Sequence, residues 1–219
     1  MTEWWQDLKS AERRIHSQCG EEGVIAAIFT RIGTTNRVCV DIGAGDPVEY
    51  SNTRALLDVG WTGHLFDCKP SGHAHQAKFN AENACDILAS YGVPSEFDLL
   101  CIDIDGIDWY VLRAILAGGY KPRVIVAEIN CNLPADPPMT VAYDPDFTFD
   151  GSLYHGGSLG AYRVLGGAFG YLLVHQTGLL NCFLIRKDCL PEGAQAGELG
   201  FFQFTAHEGD KLNRQWVPV

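Results

Sequence analysis

Apolar residues recur at helical spacing twice before the first strand. Trp4, Leu8, Ala11 and Ile15 fit one face of a helix over residues 3–16. Val24, Ile25, Ile28, Phe29 and Ile32 fit a second, which Gly33 ends, so two N-terminal helices are predicted. The pattern then shortens to strand length. RVCVDIG reads as a buried strand, and SNTRALLDVG as a helix with Ser51 as N-cap and Gly60 as its stop. GHLFDC is a second strand ending on Asp67. KPSGHAHQAKFN has no period and reads as a shortened crossover, with a third strand placed at residues 77–80. AENACDILASYG is helical, DLLCIDID is a buried strand, DWYVLRAILAGG is a helix capped by Asp108, and PRVIVAEIN is the next strand.

Strands alternating with helices predict a parallel sheet covered on both faces: an α/β, Rossmann-like, doubly wound single domain of about seven strands over residues 1–219. The end of the chain breaks that rhythm. GSLGAYRVLGGAFG is helical, but only a short polar turn separates YLLVHQTG from NCFLIRKD, which leaves no room for a crossover helix. The last strand is therefore predicted antiparallel. One long irregular segment, residues 131–157, leaves a strand end and is rich in proline, aspartate and aromatics, as an active-site lid would be.

Composition narrows the partners. Of the 219 residues 47% are hydrophobic and 20% charged, which suits a globule with one core. The formal net charge of -11, with no basic run at either end, argues against nucleic acid. No apolar run approaches the roughly 18 residues of a membrane span. Eight cysteines show no C-x-x-C spacing, and Cys39, Cys101 and Cys182 lie inside strand-like runs; reduced thiols in a cytoplasmic protein are expected.

The candidate chemistry begins at VCVDIGAGDPVEYSNT, residues 38–53. Asp41, Gly43 and Gly45 open a glycine turn, but Val48 stands where a dinucleotide fingerprint has its last glycine, and the loop carries Asp46 and Pro47. A pyrophosphate here would face the Asp46 carboxylate. S-adenosylmethionine suits the site better. Its sulfonium and ammonium are cations, its carboxylate can use amides at the turn or helix start, and Asp67 stands where a carboxylate accepts ribose hydroxyls.

The segments SQCGEEGVI (17–25), VDIGAGDPVEYSNTRALL (40–57), GWTGHLFD (60–67), FDLLCIDIDGIDWYVL (97–112), PRVIVAEIN (122–130) and FDGSLYHGGSL (149–159) follow one another in an order that resembles class I S-adenosylmethionine-dependent methyltransferases, and more narrowly the FkbM-like family. The resemblance covers most of the chain. It implies a seven-stranded sheet with a reversed last strand, and cofactor contacts at Asp41, Gly43, Gly45, Asn52, Asp67 and Asp103, with Gln18 and Glu22 reaching the methionine end. It also implies a small-molecule acceptor, foremost a hydroxyl of a natural product or sugar. Pro47 departs from the family's glycine motif, and residues 69–80 are shorter than usual where adenine would sit.

Methyl transfer to a hydroxyl needs alignment and removal of a proton. Asp103 and Asp105 share a side if their strand continues that far, and Glu128 and Asn130 do likewise on the next strand. Asp105 or Glu128 as base is one reading; His155, in the glycine-flanked LYHGG, is another. Magnesium held by Asp103, Glu128 and Asn130 is the less favoured third. N-methylation, a nicotinamide-dependent or nucleotide-sugar oxidoreductase, and a non-catalytic nucleotide-binding protein of the same fold are the alternatives. A chain without a separate substrate domain would use a second copy to finish its pocket, which light scattering showing a monomer would reject.

Overall fold

The computed structural model describes residues 3–45, 50–197, 210 and 212–219. Its order is α1 (Glu21–Ile32), β1 (Val38–Ile42), α2 (Arg54–Asp58), β2 (Thr62–Asp67), β3 (His75–Gln76), α3 (Ala84–Ser90), β4 (Glu96–Ile102), α4 (Asp108–Ala117), β5 (Lys121–Glu128), β6 (Met139–Val141), α5 (Leu159–Ala168), β7 (Tyr171–Thr177), β8 (Asn181–Arg186) and β9 (Trp216–Pro218). Seven strands form one sheet in the order β3-β2-β1-β4-β5-β8-β7. The β1, β2, β3, β4 and β5 pairings are parallel, and β8 runs antiparallel to both neighbours. This is the Rossmann-like doubly wound sheet with a reversed last strand that the hairpin predicts. Among the described residues no helix is long and apolar enough to cross a membrane.

Alternation along the buried strands builds two cores. Leu100 and Ile102 of β4 join Val40, Ile42 and Ile125 under α3, α4 and α5, while Leu99 and Cys101 join Cys39, Val124 and Val126 under α1. All eight cysteines are free, and Cys39, Cys101 and Cys182 are buried in strands.

The sequence pattern misleads in four places. Residues 3–16 form no helix, only the single 3-10 turns Trp4–Gln6 and Lys9–Ala11. Tertiary contacts override the helical spacing. The Trp5 indole N–H donates to Gln195 O, Ile15 is 56% exposed, and the Glu22 carboxylate collects the backbone N–H groups of Ile15, His16 and Ser17. Second, the third strand is two residues long and precedes residues 77–80, beside Phe66 and Asp67. Third, β4 ends at Ile102, so Asp105 is not on its face. Fourth, the lid segment contains β6, which pairs with the unforeseen C-terminal β9.

Candidate active site

A cavity of about 830 Å³ opens at the carboxyl ends of β1, β2 and β4, within the size range of small-molecule sites. This is the switch point, where the sheet order departs in opposite directions from the β1–β4 pair and where open α/β sheets hold ligands.

The glycine turn forms one wall. Gly43 has φ +89, and a Cβ there would lie 1.6 Å from Asp103 O, so the ends of β1 and β4 touch through backbone alone. Gly45, with φ +53, also lines the cavity. The amides of this turn are not free for an anion as expected. Gly43 N–H and Ala44 N–H both donate to Phe66 O at 2.9 Å, and Gly45 N–H donates to Asp67 Oδ2 at 2.9 Å. Asp67 Oδ1 accepts the Lys69 N–H at 2.7 Å. The Asp67 carboxylate is thus fixed by two backbone donors on the cavity wall, and each oxygen keeps a lone pair. Asp46, Pro47 and Val48 lie outside the described residues.

Of the residues predicted to touch a cofactor, Gln18, Gly43, Gly45, Asp67 and Asp103 line the cavity. Glu22, Asp41 and Asn52 do not. Glu22 is buried and organises residues 15–17; burial acts to raise its pKa, but the Ser17 hydroxyl and the three backbone N–H bonds together outweigh it and hold the pKa below the usual value. Asp41 is buried at the end of β1, where its Oδ2 accepts the Thr53 hydroxyl at 2.7 Å. Burial raises its pKa to about 6, with the Asp67 charge adding and the Thr53 bond opposing. Asn52 is half-buried and lines no part of the wall.

Beyond Asp103 the wall runs into a cluster of acids. Asp105 takes φ +54, a left-handed conformation that aspartate tolerates better than most residues, and this turns it out of the strand and onto the cavity. The turn is held by Asp108, whose two carboxylate oxygens accept Ile104 N–H at 2.7 Å and Gly106 N–H at 2.8 Å. Asp108 was expected to cap α4; it closes the preceding turn, and Ile107 occupies the cap position. At the tip of β5, Glu128 is buried against Asp103, and His155 Nδ1 lies 3.6 Å from Glu128 Oε2. Burial, then the charges of Asp108 and Asp105, push Glu128 well above the ordinary carboxylate range, against an opposing interaction with the Asp103 carboxyl. Burial, then the Glu128 charge, does the same to Asp103.

Of the predicted catalytic groups the structure therefore brings Asp105, Glu128 and His155 together: one ligand atom from each lies within 4.8 Å of the others. Asn130 is not with them. Its amide nitrogen donates to Leu153 O and His155 O, both at 2.8 Å, and its oxygen accepts Asn132 N–H, so it fastens the loop that carries His155. The magnesium set of Asp103, Glu128 and Asn130 does not form in this arrangement.

The lid is anchored as well as overhanging. Phe147, Thr148 and Phe149 line the cavity; Phe147 packs where a Cβ on Gly106 would lie 2.6 Å from its ring, and Phe149 meets His155 edge-on. Tyr143 OH accepts Ala81 N–H and bonds Glu82, tying the lid to the segment before α3. Tyr154 OH donates to Gln215 O, and Arg214 stacks on the Tyr154 ring. Sequence spacing missed Tyr50, a cavity-lining aromatic at φ +61, and Glu21, which joins Thr177 and Asn181 to α1. The signal for Glu21 was the doubled acid in an otherwise apolar helix start.

No family model matches the chain, and no match was found among curated proteins.

Proposed function

We propose that this protein is an S-adenosylmethionine-dependent methyltransferase acting on a small-molecule acceptor, foremost a hydroxyl. The observation that carries the proposal is a cavity at the switch point walled by three carboxyl groups, those of Asp67, Asp103 and Asp105. Lys69 and Lys78 also line the cavity, but the acids outnumber them, so a sulfonium is favoured there over a diphosphate. The reversed β8 also favours this reading over an all-parallel dinucleotide fold.

The residues fit the cofactor. Asp67 is held by Gly45 and Lys69 amides with lone pairs left for ribose hydroxyls, and Gln18 stands at the same wall. When bound, the cofactor supplies an electrophilic methyl group. Phe147 and Phe149 line the cavity with apolar surface that would help exclude water, and the Asp105, Glu128 and His155 cluster offers open lone pairs for the acceptor's proton. Eight free cysteines suit a reducing, cytoplasmic setting.

Calorimetric titration with S-adenosylmethionine, S-adenosylhomocysteine and NADH tests the reading. Micromolar binding of the sulfur compounds alone is expected, weakened by about 1–3 kcal/mol in Asp67→Ala through loss of charge-assisted hydrogen bonds. Binding of NADH alone would reject it.

A further inference from the structure

The cluster next to the cavity contains two polar atoms without a hydrogen-bond partner among the described residues. Glu128 is 6% exposed, yet its Oε2 has no hydrogen-bond partner among the described residues, and neither does the buried His155 Nδ1. These two atoms face one another at 3.6 Å, beyond hydrogen-bonding distance. A buried carboxylate oxygen without a donor is costly, and a catalytic role or a bound ion is among the reasons native structures keep one.

The surroundings say what sign that ligand carries. Asp103, Asp105 and Asp108 surround Glu128, and among the described residues none of the four acids has a lysine or arginine partner; His155 is the only ion-pair partner. Asp108 is already occupied by two backbone N–H groups, while the Asp105 carboxylate makes no hydrogen bond among the described residues. Asp105, Glu128 and His155 therefore each present an open lone pair, with atoms within 4.8 Å of one another. Adjacent donors at about 2.0–2.2 Å from one metal ion lie roughly 3.0–3.5 Å apart, close to the observed Glu128–His155 gap, so small side-chain shifts would bring the three onto a common centre.

We propose that Asp105, Glu128 and His155 form a binding site for one divalent cation at the edge of the cavity. An imidazole with two carboxylates favours a first-row transition ion, for which Mn²⁺ serves as a paramagnetic probe, over Ca²⁺, which prefers six to eight oxygens. Asp105 also lines the cavity, so an ion held by the three would lie beside it. The site does not depend on the methyl-transfer reading, because the cation binds without cofactor or acceptor.

The test is titration of the metal-free, full-length protein with Mn²⁺, followed by calorimetry and electron paramagnetic resonance. One bound Mn²⁺ per chain is expected. Glu128→Gln and His155→Ala should each weaken it by more than the roughly 10–100-fold that outer-shell partners cost, while Asp58→Asn on the exposed surface leaves it unchanged. In case a variant misfolds, spin-echo modulation from an imidazole nitrogen is read in the unsubstituted protein. Absence of stoichiometric binding, or a bound ion without nitrogen coupling, would overturn the assignment.

Discussion

The same two strands carry a buried acid centre at each end. At the amino end of the β4–β5 pair, Asp98 is completely buried and accepts the N–H groups of Thr35, Asn36 and Arg37, the Thr35 hydroxyl, and Arg123 at 3.0 Å. Arg123 spends its other donors on Ile32 O and Gly33 O. At the carboxyl end, Glu128 is nearly as buried but has an oxygen without a donor, three acids around it and one histidine out of bonding range. Hydrogen bonds outweigh burial at Asp98 and pull its pKa down; nothing outweighs it at Glu128, whose pKa is pushed up. A buried charge that serves the fold is saturated by donors, and one that is left open is kept for a ligand or a proton.

The largest effect that could break this comparison is on folding. Asp98→Ala leaves a buried guanidinium and several amides unpaired and should cost about 3–5 kcal/mol in denaturant unfolding. A loss under about 1 kcal/mol would show that Asp98 is no more structural than Glu128. Next, Glu128→Gln should leave folding stability unchanged or raised while lowering methyl transfer by roughly 10²–10⁴-fold, measured as turnover with labelled cofactor. Full turnover in that variant would remove Glu128 from the chemistry.

The smallest effect is in pH dependence. Because the folded pKa of Asp98 lies below its ordinary value, its contribution is present above that value and is lost as pH falls through the folded pKa. Glu128 and Asp103 have the opposite sign: their folded pKa values are raised, so their contribution is full at low pH and declines as pH rises above their ordinary values, 4.5 for Glu128 and 3.8 for Asp103. Melting in chelator should therefore show stability falling from mildly acid to neutral pH, with a flatter profile for Glu128→Gln. Identical profiles would contradict the contrast.

The sheet was legible because its order follows from local facts: β-length apolar runs, glycine stops, and a turn too short for a crossover. The amino-terminal turns were not, because their shape comes from Trp5 reaching Gln195 and from Glu22 gathering residues 15–17, contacts that periodicity does not encode. The same limit applies at the site. Spacing nominated Asp105, Glu128 and His155, and the structure gathers them, but the pairing depends on a left-handed Asp105 and on Asn130 gripping the His155 loop. Asn130, Glu22 and Asp41 have the right chemistry for a ligand and spend it on the backbone or a neighbouring hydroxyl, which only the three-dimensional hydrogen-bond pattern reveals.

The contact of Gly43 with Asp103 O has a further consequence. The wall that carries Asp67 and the wall that carries Asp105 meet where the Gly43 backbone abuts the Asp103 carbonyl, so their relative registration is set by main-chain geometry. If the two walls hold the two reactants, their alignment is fixed largely when the sheet forms.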